Sequence, residues 1–207
     1  MFDINKTQTS DIDTWVIGNW KMNGRLVHNE NYLEKLLSKT ENLIMDKSFF
    51  CGLAVPNLYL FQFSNRLLDS GLFVGIQDVS SEDDDGAFTG DISAEMFTEF
   101  DCSFSIIGHS ERRVKYNESD VNLVNKAKAS IKNNILPIIC VGETKKDREQ
   151  GNAIKTISSQ IQNFTSGLSN NELSRCVFAY EPLWAIGSGK NAQPSDAETM
   201  HNLIRTE

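Results

Sequence analysis

Three titratable side chains follow short apolar segments and could together transfer a proton. His109, Glu181 and Lys21 each come within four residues of the end of such a segment, and Asn19 lies close to Lys21. Glutamate can act as a general base, neutral histidine can donate a hydrogen bond to a carbonyl oxygen, and lysine supplies a fixed positive charge. The combination indicates removal of a proton next to a carbonyl group, with the enediolate stabilised opposite the base.

The segment around His109 carries the most specific pattern. Gly108 permits close approach of the backbone, and Ser110 is a good candidate for the N-cap of a helix with Glu111 in its first turn. We expect the positive end of this helix to favour the neutral imidazole. The alternative is a structural histidine bonded to the backbone, which is the usual role of a lone histidine.

The segment after Glu181 has the composition of a hinged lid over a site. Proline restricts one end, glycine frees the other, and the apolar tip would exclude water from the glutamate. The predicted lid consists of Pro182, Trp184, Ala185, Ile186, Gly187, Ser188, Gly189 and Lys190. A plain surface loop is the alternative; a phosphate-binding P-loop is rejected because Trp184 stands where its first glycine is needed and Asn191 replaces its Ser or Thr.

Six apolar segments alternate with amphipathic ones along the chain. The predicted strands cover residues 14–17, 52–55, 72–77, 103–107, 136–141 and 175–180, and the stretches between them have helical spacing. This alternation predicts an α/β fold with a parallel sheet, in which sites form at the carboxyl ends of the strands. A last helix is predicted to begin at a Ser195 cap with Glu198 three residues on, and its apolar stripe still runs where the sequence reaches Glu207.

Composition excludes several classes of partner. The 207 residues contain 20 Lys plus Arg and 28 Asp plus Glu, a net charge of −8, which argues against nucleic acids and anionic membranes. No apolar run approaches a membrane span, and we expect no secretory signal, so the predicted location is the cytoplasm. The four cysteines are widely spaced, which favours buried thiols over disulfides or zinc, and the acidic run at 82–86 lacks the spacing of a metal loop.

Five motifs together resemble the triosephosphate isomerase family, in its bacterial form. They lie, in the family's order, at residues 18–24, 86–90, 108–113, 140–144 and 180–190, and the resemblance runs from about Trp15 to the last residue. It implies a (β/α)8 TIM barrel that interconverts dihydroxyacetone phosphate and glyceraldehyde 3-phosphate without cofactor or metal. The family combines a glutamate base, a neutral histidine and a loop that closes over the site.

The resemblance also implies a role for each matching residue. Glu181 would be the base, His109 the electrophile and Lys21 the cation that binds substrate, with Glu111 as their acidic neighbour. Asn19, Ser110 and Gly187 would complete the substrate site, the last through its backbone N–H on the phosphate. Trp184 would pair with Glu143 across the lid, and Thr89 would reach into the partner subunit of a homodimer.

The chain departs from the family at its end. Only the first six βα units are matched. We therefore expect residues 1–207 to be a single, incomplete barrel domain that lacks strands seven and eight and also lacks half of the phosphate site. Made alone, it should be poorly soluble and nearly inactive, because strands one and six would have unpaired edges. Two alternatives stay open: an inactive chain of the same family that acts as an interaction partner, and a lyase or epimerase for phosphosugars. Asp78, where many relatives have Asn, is interpreted as a tolerated variation.

Overall fold

Six parallel strands form the centre of the protein. The computed structural model describes residues 9, 12, 14–40, 49–82, 84–186, 189 and 191–207. The strands are paired in sequence order, each with the next, in a curled half-barrel. They are β1 (Thr14–Asn19), β2 (Phe49–Val55), β3 (Phe73–Ile76), β4 (Phe104–Ile107), β5 (Leu136–Val141) and β6 (Val177–Tyr180). The predicted α/β fold with six βα units is confirmed.

Nine helices are present in the described residues, most of them between consecutive strands. They are α1 (Leu26–Thr40), α2 (Leu60–Leu67), α3 (Ala94–Thr98), α4 (Ser110–Tyr116), α5 (Asp120–Lys132), α6 (Lys145–Glu149), α7 (Ala153–Thr165), α8 (Asn170–Leu173) and α9 (Pro194–Thr206). Within this part of the chain, each helix is too short or too polar to span a bilayer. The helical spacing after the first predicted strand also includes Leu43 and Ile44, which lie outside the described residues.

The two faces of the sheet bury different side chains, because successive residues of a strand point to opposite faces. Phe50, Phe104 and Ile138 belong to an inner cluster, and a Cβ atom at Gly52 or Gly75 would lie 2.6 or 2.5 Å from the Phe104 ring. Both glycines therefore make room for that ring. The outer face packs against the helices in a larger cluster that includes Leu33, Phe63, Ile107, Leu123, Ile139 and Phe164. Together these clusters hold the strand ends in fixed positions.

Two predicted helix caps are wrong. The N-cap of α4 is His109 rather than Ser110, since the His109 ring accepts the backbone N–H of Glu111 and leaves the Ser110 hydroxyl free for another partner. Helix α9 begins at Pro194, and its cap is Gln193, whose backbone N–H donates to Asp196 at 2.9 Å. In both cases the helix begins earlier than predicted, because another side chain can satisfy its first N–H groups.

The cysteines are free thiols, as predicted. Cys102, Cys140 and Cys176 are buried, while Cys51 on β2 is half-buried. Burial raises the pKa of Cys102 and of Cys176 to about 12, because a thiolate loses its hydration there.

Candidate active site

The predicted catalytic side chains come together at one edge of the sheet. Parallel pairing places the carboxyl ends of β1, β4 and β6 on the same side, with Lys21, His109 and Glu181 just beyond them. The Nε2 atom of His109 lies 3.2 Å from Oε2 of Glu181, and Nζ of Lys21 lies 2.8 Å from Oε1 of Glu111. Nδ1 of His109 is 3.7 Å from Oε2 of Glu111. The four side chains form one continuous polar chain.

Lys21 is held in a strained backbone conformation. Its φ is 51°, in the left-handed region, which costs a non-glycine residue about 1–3 kcal/mol and persists only where neighbours enforce it. The backbone N–H of Lys21 donates to Oδ1 of Asn19 at 2.9 Å. Nε2 of Gln77 donates to the carbonyl oxygens of Lys21 and Ala54, both at 3.0 Å. Gln77, at the end of β3, is therefore a supporting residue that sequence reasoning missed.

The hydrogen bonds of His109 assign its tautomer. Nδ1 accepts the backbone N–H of Glu111 at 3.2 Å and so carries no proton. The proton of a neutral ring is then on Nε2, the atom that faces Glu181. A neutral ring in this arrangement directs its one N–H into the site.

Glu181 rests against the start of α4. Its carboxylate accepts the Ser110 backbone N–H at 2.6 Å and the Ser110 hydroxyl at 3.1 Å. The side chain of Glu181 is 16% exposed. The structure thus places Ser110 in the site as predicted, but on the carboxylate of the base.

Glu111 controls where the Lys21 ammonium lies. The hydrogen bond from Lys21 holds the pKa of the Glu111 carboxyl below its ordinary value, and the nearby positive charge adds to the effect. Both side chains are partly exposed. Because both side chains are already in contact with solvent, the Lys21 ammonium can leave the Glu111 carboxylate and bind an incoming anion.

A cavity of about 350 Å³ opens beside these residues, within the range of small-molecule sites. Lys21, Arg112 and Lys115 supply positive charge to its wall, and Asn19 and His109 supply polar groups. Asp78 and Glu111 line the same wall and pair with Arg112 and Lys21, so the cavity carries charges of both signs. Within the described residues, no group of three or more His, Cys, Asp or Glu side chains is arranged to hold a metal ion.

Comparison with known proteins finds relatives over most of the chain. A sequence profile described as triosephosphate isomerase matches residues 14–207. The triosephosphate isomerase of Herminiimonas arsenicoxydans is 40% identical over 190 residues, covering 92% of this chain and 75% of that protein. The chain belongs to the triosephosphate isomerase family.

Further relatives in the triosephosphate isomerase family match to the same extent. The enzyme of Bordetella pertussis is 40% identical over 192 residues, covering 92% of this chain and 74% of its own. That of Cupriavidus pinatubonensis is 41% identical over 192 residues, covering 93% and 76%. The chain thus spans about three quarters of the length of these relatives.

The first part of the predicted lid is a compact turn. The backbone N–H of Ala185 donates to Pro182 at 2.9 Å, and Nε1 of Trp184 donates to Oε1 of Glu143 at 2.7 Å. The predicted contact between Trp184 and Glu143 is confirmed. Gly189 is exposed with a φ of 71°. The predicted lid residues Gly187, Ser188 and Lys190 lie outside the described residues.

A ring of four charges lies behind the site. Asp78 contacts Arg112 and Lys126, each at 2.6 Å, and Glu118 contacts the same two cations at 2.9 and 2.6 Å. Burial raises the pKa of Asp78, while Lys126 opposes that rise. Because Arg112 is three residues from His109, the ring anchors the start of α4. Sequence reasoning missed this role and interpreted Asp78 as a tolerated variation.

Proposed function

We propose that the protein interconverts dihydroxyacetone phosphate and glyceraldehyde 3-phosphate by proton transfer through an enediolate. The observation that supports this most directly is the pairing of a glutamate carboxylate with the N–H of a neutral histidine, 3.2 Å apart, beside a lysine at one sheet edge. Family membership agrees with it. The two triose phosphates are isomers, so the reaction consumes no oxidant or reductant.

Glu181 is the base in this proposal. After leaving Ser110 it removes a proton from carbon 1 of dihydroxyacetone phosphate, and the electron pair of that C–H bond forms the enediolate double bond. Returning the proton to carbon 2 gives the aldehyde. Proton transfer by a positioned side chain contributes about 10²–10⁴-fold to a rate.

His109 is the electrophile. Its Nε2–H donates to the substrate's carbonyl oxygen and stabilises the negative charge that develops there. The same ring moves a proton between the two oxygens of the enediolate, because the carbonyl and hydroxyl groups exchange places during the reaction. Nδ1 keeps its hydrogen bond to the backbone of Glu111, which fixes the orientation of the ring.

Lys21 and the lid hold the phosphate and the enediolate. The ammonium group of Lys21 moves from Glu111 to the substrate, where Asn19 lies beside it. Glu111 accepts the ammonium again when product leaves. In the lid, Gly187 is proposed to donate its backbone N–H to the phosphate. Triose phosphates are dianions that do not cross membranes unaided, so the proposed location is the cytoplasm, where they are made.

The functional unit is proposed to be a homodimer joined through the Thr89 loop. Thr89 is exposed in a turn that is closed by a 3.0 Å hydrogen bond from the Asp91 N–H to the Phe88 carbonyl oxygen. Met22, near the site, is a second exposed residue, at 97%. A second cavity, of about 430 Å³, adjoins the first, and Oε2 of Glu118 in its wall makes no hydrogen bond within the described residues. A loop with free backbone N–H groups would suit this cavity.

Sedimentation velocity tests the dimer. At micromolar concentration the wild type should sediment as a dimer and Thr89→Arg as a monomer, while Thr98→Arg, an exposed change on α3, should stay dimeric. A monomeric wild type would overturn this part of the proposal.

Conversion in heavy water tests the reaction. The assay uses the full-length protein, meaning residues 1–207 with any further residues that its gene encodes. Glyceraldehyde 3-phosphate should be converted to dihydroxyacetone phosphate that carries deuterium at carbon 1, because the proton on Glu181 exchanges with solvent. Conversion without any deuterium would indicate hydride transfer and contradict the enediolate, and absence of conversion would contradict the function.

A further inference from the structure

Arg148 on α6 contacts both flanks of the lid. Its guanidinium carbon lies 4.1 Å from the centre of the Trp184 ring, on the chain before the lid tip. Its NH2 atom lies 2.7 Å from Oδ1 of Asp196, on the chain after the lid. One side chain from a separate helix therefore joins the start of the lid, at Trp184, to the helix that follows the lid, at Asp196, and these are the lid's two attachment points.

The contacts on the first flank fix the Trp184 indole from two directions. Glu143 is fully buried, and its Oε1 accepts Trp184 Nε1 at 2.7 Å and the Tyr180 hydroxyl at 2.9 Å. NH1 of Arg148 is 3.8 Å from the same oxygen. The guanidinium thus covers the face of the indole and also supplies the counter-charge for a buried carboxylate.

The contact on the second flank involves the start of α9. Oδ2 of Asp196 accepts the Gln193 backbone N–H at 2.9 Å, while Oδ1 binds Arg148. The ion pair lowers the pKa of Asp196 and raises that of Arg148, as expected for two charges that stabilise each other. Asp196 therefore links the first turn of α9 directly to α6.

We propose that Arg148 is a positioning residue for the lid, which holds its two attachment points at a fixed separation. This inference rests on the proposed function and uses only described residues on either side of the tip. Holding these two attachment points together favours the closed position of the lid over the enediolate. Without Arg148, Trp184 and Asp196 move independently and the lid is closed for a smaller share of the time.

Poor closure has a chemical consequence that can be measured. An enediolate that escapes the lid expels its phosphate: the C–O bond breaks, the electron pair leaves with inorganic phosphate, and the remaining enol becomes methylglyoxal. A substitution that only weakens substrate binding would not raise this by-product for each enediolate formed. The by-product therefore separates a role in positioning the lid from a general loss of affinity.

The test compares Arg148→Met and Asp196→Asn with Lys146→Met, a control that removes a charge from the same helix. In the full-length protein, Arg148→Met should lower kcat/KM about tenfold and raise the methylglyoxal share at least about fivefold. Asp196→Asn should act in the same direction but less strongly, because an amide still accepts the Gln193 N–H. The double variant should be no worse than Arg148→Met, since both changes break one link. Lys146→Met should match the wild type.

A methylglyoxal share of Arg148→Met equal to that of Lys146→Met would overturn the inference, whatever its melting temperature. Fluorine NMR of protein labelled with 5-fluorotryptophan gives a readout independent of turnover, because the chain has only 3 tryptophans. The Trp184 signal should be single and sharp in the wild type and broadened in Arg148→Met. If the wild type lacks isomerase activity, the proposed function fails and the NMR comparison still decides the role of Arg148; an unchanged signal would overturn that role.

Discussion

Ser110 holds Glu181 through two hydrogen bonds, one from its backbone N–H at 2.6 Å and one from its hydroxyl at 3.1 Å. The Glu181 side chain is thereby held at the edge of the site by a helix whose N-cap is His109. The proposed base and the proposed electrophile are thus positioned by the same turn of chain.

Replacing Ser110 by Ala should reduce activity only modestly. The backbone N–H remains, and the lost hydroxyl contact belongs to the resting position that Glu181 leaves before it reacts. We expect kcat/KM to fall by about tenfold or less, equivalent to about 1.4 kcal/mol. Steady-state kinetics on the full-length protein check this; a loss above about 100-fold would mean that the hydroxyl takes part in the reaction itself.

Replacing Gly142 by Ala should damage the site without unfolding the protein. A Cβ atom there would overlap the carbonyl oxygen of Glu181 and lie 2.5 Å from Cδ1 of Leu183. The base must then shift by about 1 Å, which can lower a rate about 100-fold. Kinetics and circular dichroism measure the two effects. Gly151→Ala is the control: it has a strained φ of 72° but open space around the new atom. Equal activity of the two variants would contradict the argument.

The sequence predicted most of the fold, because short buried strands and amphipathic helices carry strong periodic patterns. The strand over 136–141 was predicted to the residue. Both wrong predictions chose a serine, a residue type that is generally preferred at the N-cap of a helix. In the structure the N-cap positions belong to His109 and Gln193. Local preference cannot show which side chain lies nearer in space.

The grouping of Lys21, His109 and Glu181 at one sheet edge could be predicted because they follow strands, whereas the residues that support them could not. Gln77 acts on Lys21 from 56 positions along the chain, and Arg148 reaches Asp196 across 48. The role of Asp78 is visible only from its contacts with two cations, Arg112 and Lys126. Such long-range contacts leave no local pattern in one sequence.

Asp78→Asn should change the pH dependence of stability. Burial raises the pKa of Asp78 in the folded protein, so its contribution to the free energy of unfolding is greatest below the unfolded value, about 3.9, and is lost as pH rises through the folded value. The stability of the wild type relative to Asp78→Asn should therefore increase from pH 7 towards pH 4. Urea unfolding at several pH values measures this, and an opposite slope would contradict the assignment.

The buried thiols should resist alkylation in the folded protein. With pKa values of about 12, Cys102 and Cys176 form almost no thiolate at pH 8. Burial also raises the pKa of Cys51, but its half-buried position makes it the first to react with iodoacetamide. Peptide mass spectrometry identifies the labelled residue, and urea-unfolded protein, in which all 4 cysteines should react, is the control. Labelling of Cys102 before Cys51 would disagree with the structure.

Turnover of Glu181→Gln at saturating substrate tests the central claim most directly. The amide keeps the size of the side chain and can still accept from Ser110, but it cannot take a proton. Glu149→Gln on α6, an exposed change, is the matched control, and His109→Gln and Glu181→Asp should also lose activity by orders of magnitude. The account predicts that kcat of Glu181→Gln falls at least about 1,000-fold while the control stays within about twofold. A Glu181→Gln variant that turns over within about tenfold of the wild type would contradict the assignment of Glu181 as the base.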